Sequence, residues 1–311
     1  MPPIPEVEKI WMNGELVDWR DAQVHVLTHA LHYGSGVFEG IRAYKTERGA
    51  AVFRLSDHLE RLRRSAKLYY MELPYSVAEL AQATKELIHA NGLEHGYIRP
   101  LVYRGYGEMG LYPLEAPVEC SIAVWPWGTY LGDEGVKHGV RVKVSSIKSL
   151  DHNAISPAAK SCGQYLNSQL AKIEVVKAGY EEAIMLNHTG YVTQGTGENI
   201  FMVRGGRIFT PPLVSGVLEG ITRDTVMRIA ASLGHEVIER DFSRAELVFA
   251  DEAFFSGTAA EVVPIREVDD HTIGEPGPLT REIQRTFHEI VSGRSAAFGD
   301  LLEYVDEAVK A

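Results

Sequence analysis

The 311-residue chain is poor in cysteine. Cys120 and Cys162 are its only two, and they lie far apart. No disulfide framework and no metal-binding spacing can be built from them, so no metal is expected and a reducing, cytoplasmic setting fits. Apolar runs of membrane-spanning length are missing too, and nothing approaches the ~20 residues needed to cross a bilayer. The opening MPPIPEVEKIW has no basic segment leading into an apolar run and is acidic. Neither a secretory signal nor a transit peptide is expected from it. Basic residues are outnumbered: 31 Lys and Arg stand against 42 Asp and Glu, for a net charge of -11. That excludes a general nucleic-acid binder but leaves room for a small anion held by local donors. Internal repeats and low-complexity segments are absent. What remains is an ordinary globular composition, 45% hydrophobic and 23% charged, too long for one core.

The N-terminal third reads as mixed strand and helix. VHVL (24–27) and AVFR (51–54) have strand character. Residues 56–70 read as a helix with Leu55, Leu59, Leu62 and Ala66 on one stripe. A second helix starts at a Ser76–Glu79 capping box, carries Leu80, Leu87 and Ile88 on its apolar face, and stops at Asn91-Gly92. YIRPLVYR (97–104) and CSIAVWPW (120–127) are long apolar runs. GTYLGDEG (128–135) breaks the pattern and marks a linker between a small domain, 1–127, and a larger one, 136–311. The second half is richer in strands: VRVKVSSI (140–147), EAIMLN (182–187), NIFMV (199–203) and RIFTP (207–211), with a Gly-Gly hairpin signal in VRGGRIF. Three helices interrupt them. One is at 164–178, with Leu166, Leu170, Ile173 and Val176 spaced for one face; the others are at 222–233 and 280–292. Strands and helices do not alternate strictly and hairpins are present, so the fold class is α+β.

Several motifs carry chemistry. GYGEMG (105–110) matches a dinucleotide fingerprint, but Pro113 and Pro117 forbid the helix that must follow, and a loop is expected instead. Gly220 sits just before a helix, so the N–H groups of Ile221 and Thr222 would face an anion; Gly257 and Thr258 repeat the idea after an apolar strand. Every helix has such a start, so each is a candidate and no more. Arg61 lies with Arg63 and Arg64 on a helix whose bland reading is a solvated face. Lys160 stands in AAKSCG among small residues. A lysine so placed is either partly desolvated, which frees its amine as a nucleophile, or snorkels from a loop to solvent. A phosphate-bearing aldehyde cofactor would use all of these pieces.

Seven blocks in order, THALHYGSGVFEGIR, YIRP, PWGTYLG, AAKSCGQYLNS, GTGENIF, LEGITRD and SGTAAE, resemble the branched-chain amino acid aminotransferases. These are pyridoxal 5′-phosphate enzymes of the two-domain D-amino acid aminotransferase-like fold. The resemblance implies that Lys160 bonds the cofactor aldehyde and moves the proton between the substrate Cα and the cofactor C4′. Tyr165 would bond the phenolic oxygen. Arg61, Ile221, Thr222 and Thr258 would hold the phosphate beside Gly220 and Gly257, and Leu218 would pack on the ring. Tyr97 and the N–H groups of Thr258 and Ala259 would take the α-carboxylate, and Arg99 the second carboxylate of glutamate. Tyr33, Phe38, Tyr130, Met109 and Leu111 would make an apolar wall, part of it from a neighbouring subunit, so a homodimer or higher oligomer is implied. The implied reaction passes amino groups between leucine, isoleucine or valine and 2-oxoglutarate.

One position departs from the family. An acidic residue there faces the pyridine nitrogen, whereas YVTQGTGENIF places Gln194 at that point. Neutral glutamine supplies no charge to keep the nitrogen protonated. Glu198 is a substitute only in principle, because the family carries that glutamate as well. The competing readings are an (R)-selective amine or D-amino acid transaminase, an aminodeoxychorismate lyase, and a non-catalytic binder of a phosphate ligand.

Overall fold

A computed structural model describes residues 3–128 and 131–307. The chain folds into two compact units. The first comprises Met1–Gly128, Ala159–Gly163 and Ile290–Ala311; the second comprises Thr129–Ala158 and Gln164–Glu289. The segment bearing Lys160 belongs, by its contacts, to the first.

The described residues of the first unit form an eight-stranded sheet. Its order is Leu302–Tyr304, Gly49–Phe53, Ile41–Thr46, Gly96–Arg104, Val118–Trp125, Lys9–Met12 and Glu15–Asp18, with Gly36–Phe38 pairing to Gly96–Arg104 off this path. Alternation along the strands divides the sheet's two faces. Ile41, Ala43, Ile98, Val102, Ile122 and Val124 enter a core with the helices Leu55–Leu68 and Val77–Ala90. Leu55, Leu59, Leu62 and Ala66 are all buried there, as their spacing predicts. The capping box is present: Glu79 N–H donates to Ser76 Oγ at 3.2 Å and Ser76 N–H to Glu79 Oε2 at 2.7 Å. On the opposite face, Arg42, Tyr97 and Trp125 form one cross-strand row.

VHVL is not a strand. Residues 24–27 are irregular, with Val24, Val26 and Leu27 exposed. Local contacts replace a ladder: Leu27 N–H donates to His25 Nδ1 at 3.1 Å, and the His25 ring packs, tilted, against Tyr106 with centroids 4.5 Å apart. Residues 105–110 form a loop, as the prolines require, and it is anchored by His29 Nε2, 2.8 Å from Gly110 O.

The second unit is built on a nine-stranded sheet among the described residues. Val192–Gln194, Glu182–Leu186, Val140–Val144, Glu261–Val268, Glu252–Gly257 and Asn199–Arg204 follow one another, and the pairing of Gln194 with Asn199 closes them into a ring. Arg207–Thr210 and Val237–Glu239 extend it, and His271–Thr272 pairs to Glu261–Val268 off this path. Parallel and antiparallel pairs are mixed. Gly205 and Gly206 both take positive φ in the hairpin VRGGRIF, which a side chain would oppose. Val142, Ile184, Ile200, Met202, Phe255 and Val263 fill the core. Asn199, Phe201, Phe254 and Ser256 alternate to the other face, where Phe201 and Phe254 stack at 5.0 Å and the helix Ile221–Ser232 packs.

The helix Tyr165–Lys177 departs from its expected orientation. Leu166, Leu170, Ile173 and Val176 share a face as predicted, but that face is exposed; Ala171 and Val175 are the buried positions. Among the described residues, no helix is long and apolar enough to cross a membrane.

Candidate active site

In the first unit, the Lys160 segment is laced to the strand Gly36–Phe38. Phe38 N–H donates to Lys160 O at 3.0 Å, and Cys162 N–H donates to Gly36 O at 2.8 Å. Lys160 N–H donates to Ser65 Oγ at 3.1 Å, and Tyr69 OH to Ser161 Oγ at 3.1 Å. Bulky side chains would obstruct this lacing, which accounts for the small residues around the lysine. The fixed backbone delivers Lys160 Nζ to 5.2 Å from the centre of the Phe38 ring. The Arg99 guanidinium lies 4.8 Å from the same ring. Phe38, Arg99 and Lys160 therefore meet, with Tyr97 beside them, 5.2 Å from Arg99.

Arg61 is not on a solvated face. It is buried, and it donates to Glu39 through Nε at 2.7 Å and NH2 at 2.8 Å. His58 Nδ1 stands 2.8 Å from Glu39 Oε2, the oxygen that Arg61 NH2 also meets. Burial alone would raise the Glu39 carboxyl. The Arg61 guanidinium, with help from His58, outweighs it and holds the group well below the usual carboxylate range. Burial pushes His58 below the usual imidazole range, against the pull of Glu39. A neutral ring donating from Nδ1 leaves Nε2 as an acceptor, and that atom is buried without a partner among the described residues.

Two further donors escape a sequence reading. The indole N–H groups of Trp125 and Trp127 are buried and have no partner among the described residues, as is the case for Arg99 Nε. Both rings pack on Tyr97, at 5.2 and 5.1 Å. This corner of the unit is rich in donors and poor in acceptors, the chemistry that receives a carboxylate. Tyr33, Met109 and Leu111 are not brought into it; all three are exposed. Tyr130 lies outside the described residues.

In the second unit, Tyr165, Gln194 and Leu218 line one cavity, together with Glu198, Asn199 and Thr196. Asn199 Nδ2 donates to Leu218 O at 2.9 Å, and Leu218 N–H donates to Gln194 Oε1 at 3.2 Å. Glu198 accepts the Gly197 N–H at 3.1 Å. Gly220 follows at the N-terminus of the helix Ile221–Ser232 and brings no side-chain cap to its first amides. A Cβ at Gly220 would sit 1.9 Å from Asn199 Oδ1, so only glycine fits. Ser256 stands opposite Asn199 on the face that this helix covers. Its hydroxyl is fully buried with no partner among the described residues. Gly257, Thr258 and Ala259 continue from it into a turn. A helix start with an orphaned hydroxyl and a threonine nearby suits a phosphate, so these residues fit the tail of pyridoxal phosphate. Among the described residues, no acidic, His or Cys cluster could hold a metal.

A family model for class IV amino-transferases matches residues 36–268, and the chain belongs to that family. Within the class it is 48% identical to the branched-chain-amino-acid aminotransferase of Pseudomonas aeruginosa, over 94% of this chain and 95% of that one. It is 44% identical to the enzyme of the same name from Escherichia coli, over 97% and 99%. The crystal structure of the E. coli branched-chain amino acid aminotransferase superposes with a TM-score of 0.95, covering 97% of this chain and all of that one (100%), at 44% identity. The branched-chain aminotransferase of the thermophilic archaeon Thermoproteus uzoniensis, solved with norvaline, matches with a TM-score of 0.93 at 45% identity, over 96% and 99% of the two chains.

Proposed function

We propose that this protein is a pyridoxal 5′-phosphate-dependent transaminase that passes amino groups between leucine, isoleucine or valine and 2-oxoglutarate. The observation that carries the reading is the placement of Lys160 Nζ and the Arg99 guanidinium against the one Phe38 ring. An amine for the aldehyde, a cation for a second carboxylate and an apolar surface for a branched side chain are what dual use of one site demands. Relatives named for this activity support the substrate class.

The cofactor supplies an aldehyde for amine exchange and a ring that takes up the charge left when the Cα proton departs. The rest falls to the chain's own residues. From the first unit, Lys160 would hold the cofactor at its aldehyde carbon and, once the substrate amine had displaced it, its free amine would carry the proton between Cα and C4′. Arg61, pre-oriented by Glu39, meets the phosphate. Tyr97 orients the α-carboxylate and Phe38 receives a leucine side chain. Arg99, assisted by the two indole N–H groups, takes the distal carboxylate of glutamate. From the second unit, Tyr165 bonds the phenolic oxygen and Leu218 packs on the ring. The amides of Ile221 and Thr222, with Thr258 and Ser256, hold the phosphate, and the Thr258 and Ala259 amides meet the α-carboxylate. Tyr33, Met109, Leu111 and Tyr130 complete a wall for a neighbouring copy in a homodimer or higher assembly, and the enzyme works in the cytoplasm.

The test is spectroscopic. Protein mixed with pyridoxal phosphate turns yellow, and L-leucine bleaches it faster than D-alanine or (R)-1-phenylethylamine does. A colourless mixture, preference for either of the last two donors, or full activity in Lys160→Ala would overturn the reading.

A further inference from the structure

The cavity of the second unit fixes which way one side chain points. The Leu218 peptide is gripped at both ends by side-chain amides: its carbonyl accepts from Asn199 Nδ2 at 2.9 Å and its N–H donates to Gln194 at 3.2 Å. A backbone N–H can only donate, so the Gln194 atom facing it is the carbonyl oxygen, and the usual ambiguity of an amide flip is removed. The end left over is Nε2, which has two N–H groups and, with its lone pair delocalised into the carbonyl, can only donate. The backbone beneath is also fixed, because Gln194 pairs with Asn199 where the strands close into a ring.

We propose that Gln194 meets the ring nitrogen of the cofactor with an N–H donor, and so holds that nitrogen unprotonated. The inference rests on the pyridoxal phosphate reading above and deepens it. A pyridinium N–H and an amide N–H are both donors and cannot share a hydrogen bond, whereas an unprotonated ring nitrogen offers a lone pair. A carboxylate at this position would behave in the opposite sense: one oxygen would keep the Leu218 N–H while the other accepted from a pyridinium. A single O-to-NH2 exchange thus inverts the polarity that the ring nitrogen meets. The titratable groups lining the cavity are Tyr165 and Glu198. The Glu198 carboxylate is engaged by the Gly197 N–H at 3.1 Å, on its own loop. With its ring nitrogen unprotonated, the cofactor is a weaker electron sink, which places more of the burden on Lys160 to move the Cα proton without a long-lived carbanion.

The experiment uses the full-length protein loaded with pyridoxal phosphate carrying a 15N ring nitrogen. Yellow colour on loading, lost in Lys160→Ala, reports on the cofactor reading by itself; a colourless protein would overturn that reading and this inference with it. In the coloured protein the 15N resonance is expected at the unprotonated-pyridine position, unchanged from about pH 6 to about pH 9. In Gln194→Glu it is expected to move upfield to the pyridinium position, and the single-turnover reaction with L-leucine is expected to quicken by about tenfold. A pyridinium resonance in the unaltered protein would show that the second lone pair of Gln194 Oε1 or the Glu198 carboxylate serves the nitrogen instead, and would overturn the inference while leaving the cofactor reading intact.

Discussion

The Glu39–Arg61–His58 group is a buried charge network, and its energetics follow from what each member lacks when alone. Glu39 is fully buried and Arg61 nearly so, so the pair offsets a desolvation cost that neither could bear singly. His58 is held neutral, which couples folding to pH. Its folded pKa lies below the unfolded value of about 6.5, so the unfolded chain binds the extra proton. Stability is therefore complete above that value and falls as pH drops below it. Glu39, whose folded pKa is also depressed, adds its own loss only below the unfolded carboxyl value of about 4.3. Below about pH 6.5 the His58 contribution to unfolding free energy is expected to fall as pH drops, by at most about 1.4 kcal/mol per pH unit, the limit for one proton. Urea titrations of the protein and of His58→Asn would check it, and the variant's curve is expected to be flatter in that window. Identical slopes would mean that the proton goes elsewhere. The setting of Lys160 was legible in the sequence through AAKSCG, whereas Arg61 was named only through the family resemblance, its own helix suggesting a solvated face. Glu39 and His58 were not legible, because the contacts joining Glu39 to His58 and Arg61 span 19 and 22 positions and leave no local pattern. Ser256, Trp125 and Trp127 escaped for a related reason: each is significant only through the absence of a partner, which a sequence does not display.

At the scale of single elements, local chemistry was read well and orientation was not. The helix Val77–Ala90 starts where a serine and a glutamate three residues on can satisfy each other's amides. Ser76→Ala removes that acceptor and is expected to cost about 1 kcal/mol of stability with the enzyme's activity unchanged. A shift in the denaturant midpoint at constant slope would report it; no shift would mean that water replaces the hydroxyl at no cost. The helix Tyr165–Lys177 shows the limit of periodicity. The spacing of Leu166, Leu170, Ile173 and Val176 groups them on one side, yet each is more than half exposed, at 51% to 66%. A repeat near 3.6 tells which residues share a face; it does not tell what that face meets. VHVL fails differently. Apolar residues at alternate positions need an unpaired strand to join, and here the segment's own His25 takes the Leu27 N–H and packs against Tyr106 instead.

Across the whole molecule, the charge distribution opposes the acidic substrate at long range and favours it at short range. The chain carries a net charge of -11, and 2-oxoglutarate is a dianion. Diffusing inward, the dianion meets a repulsive field whose reach is set by salt: the Debye length is about 30 Å at 0.01 M and about 8 Å at 0.15 M. Close in, it meets the donors around Arg99, which are buried and so screened less. L-Leucine is a zwitterion and feels little of the long-range term. Raising the ionic strength from about 0.01 M to about 0.15 M should therefore raise kcat/KM for 2-oxoglutarate by roughly two- to threefold and leave that for L-leucine nearly flat. Steady-state rates in sodium chloride, with each substrate varied in turn, would check the difference. A fall for 2-oxoglutarate as salt is added would mean that the local donors, and not the net charge, set the field along the dianion's approach.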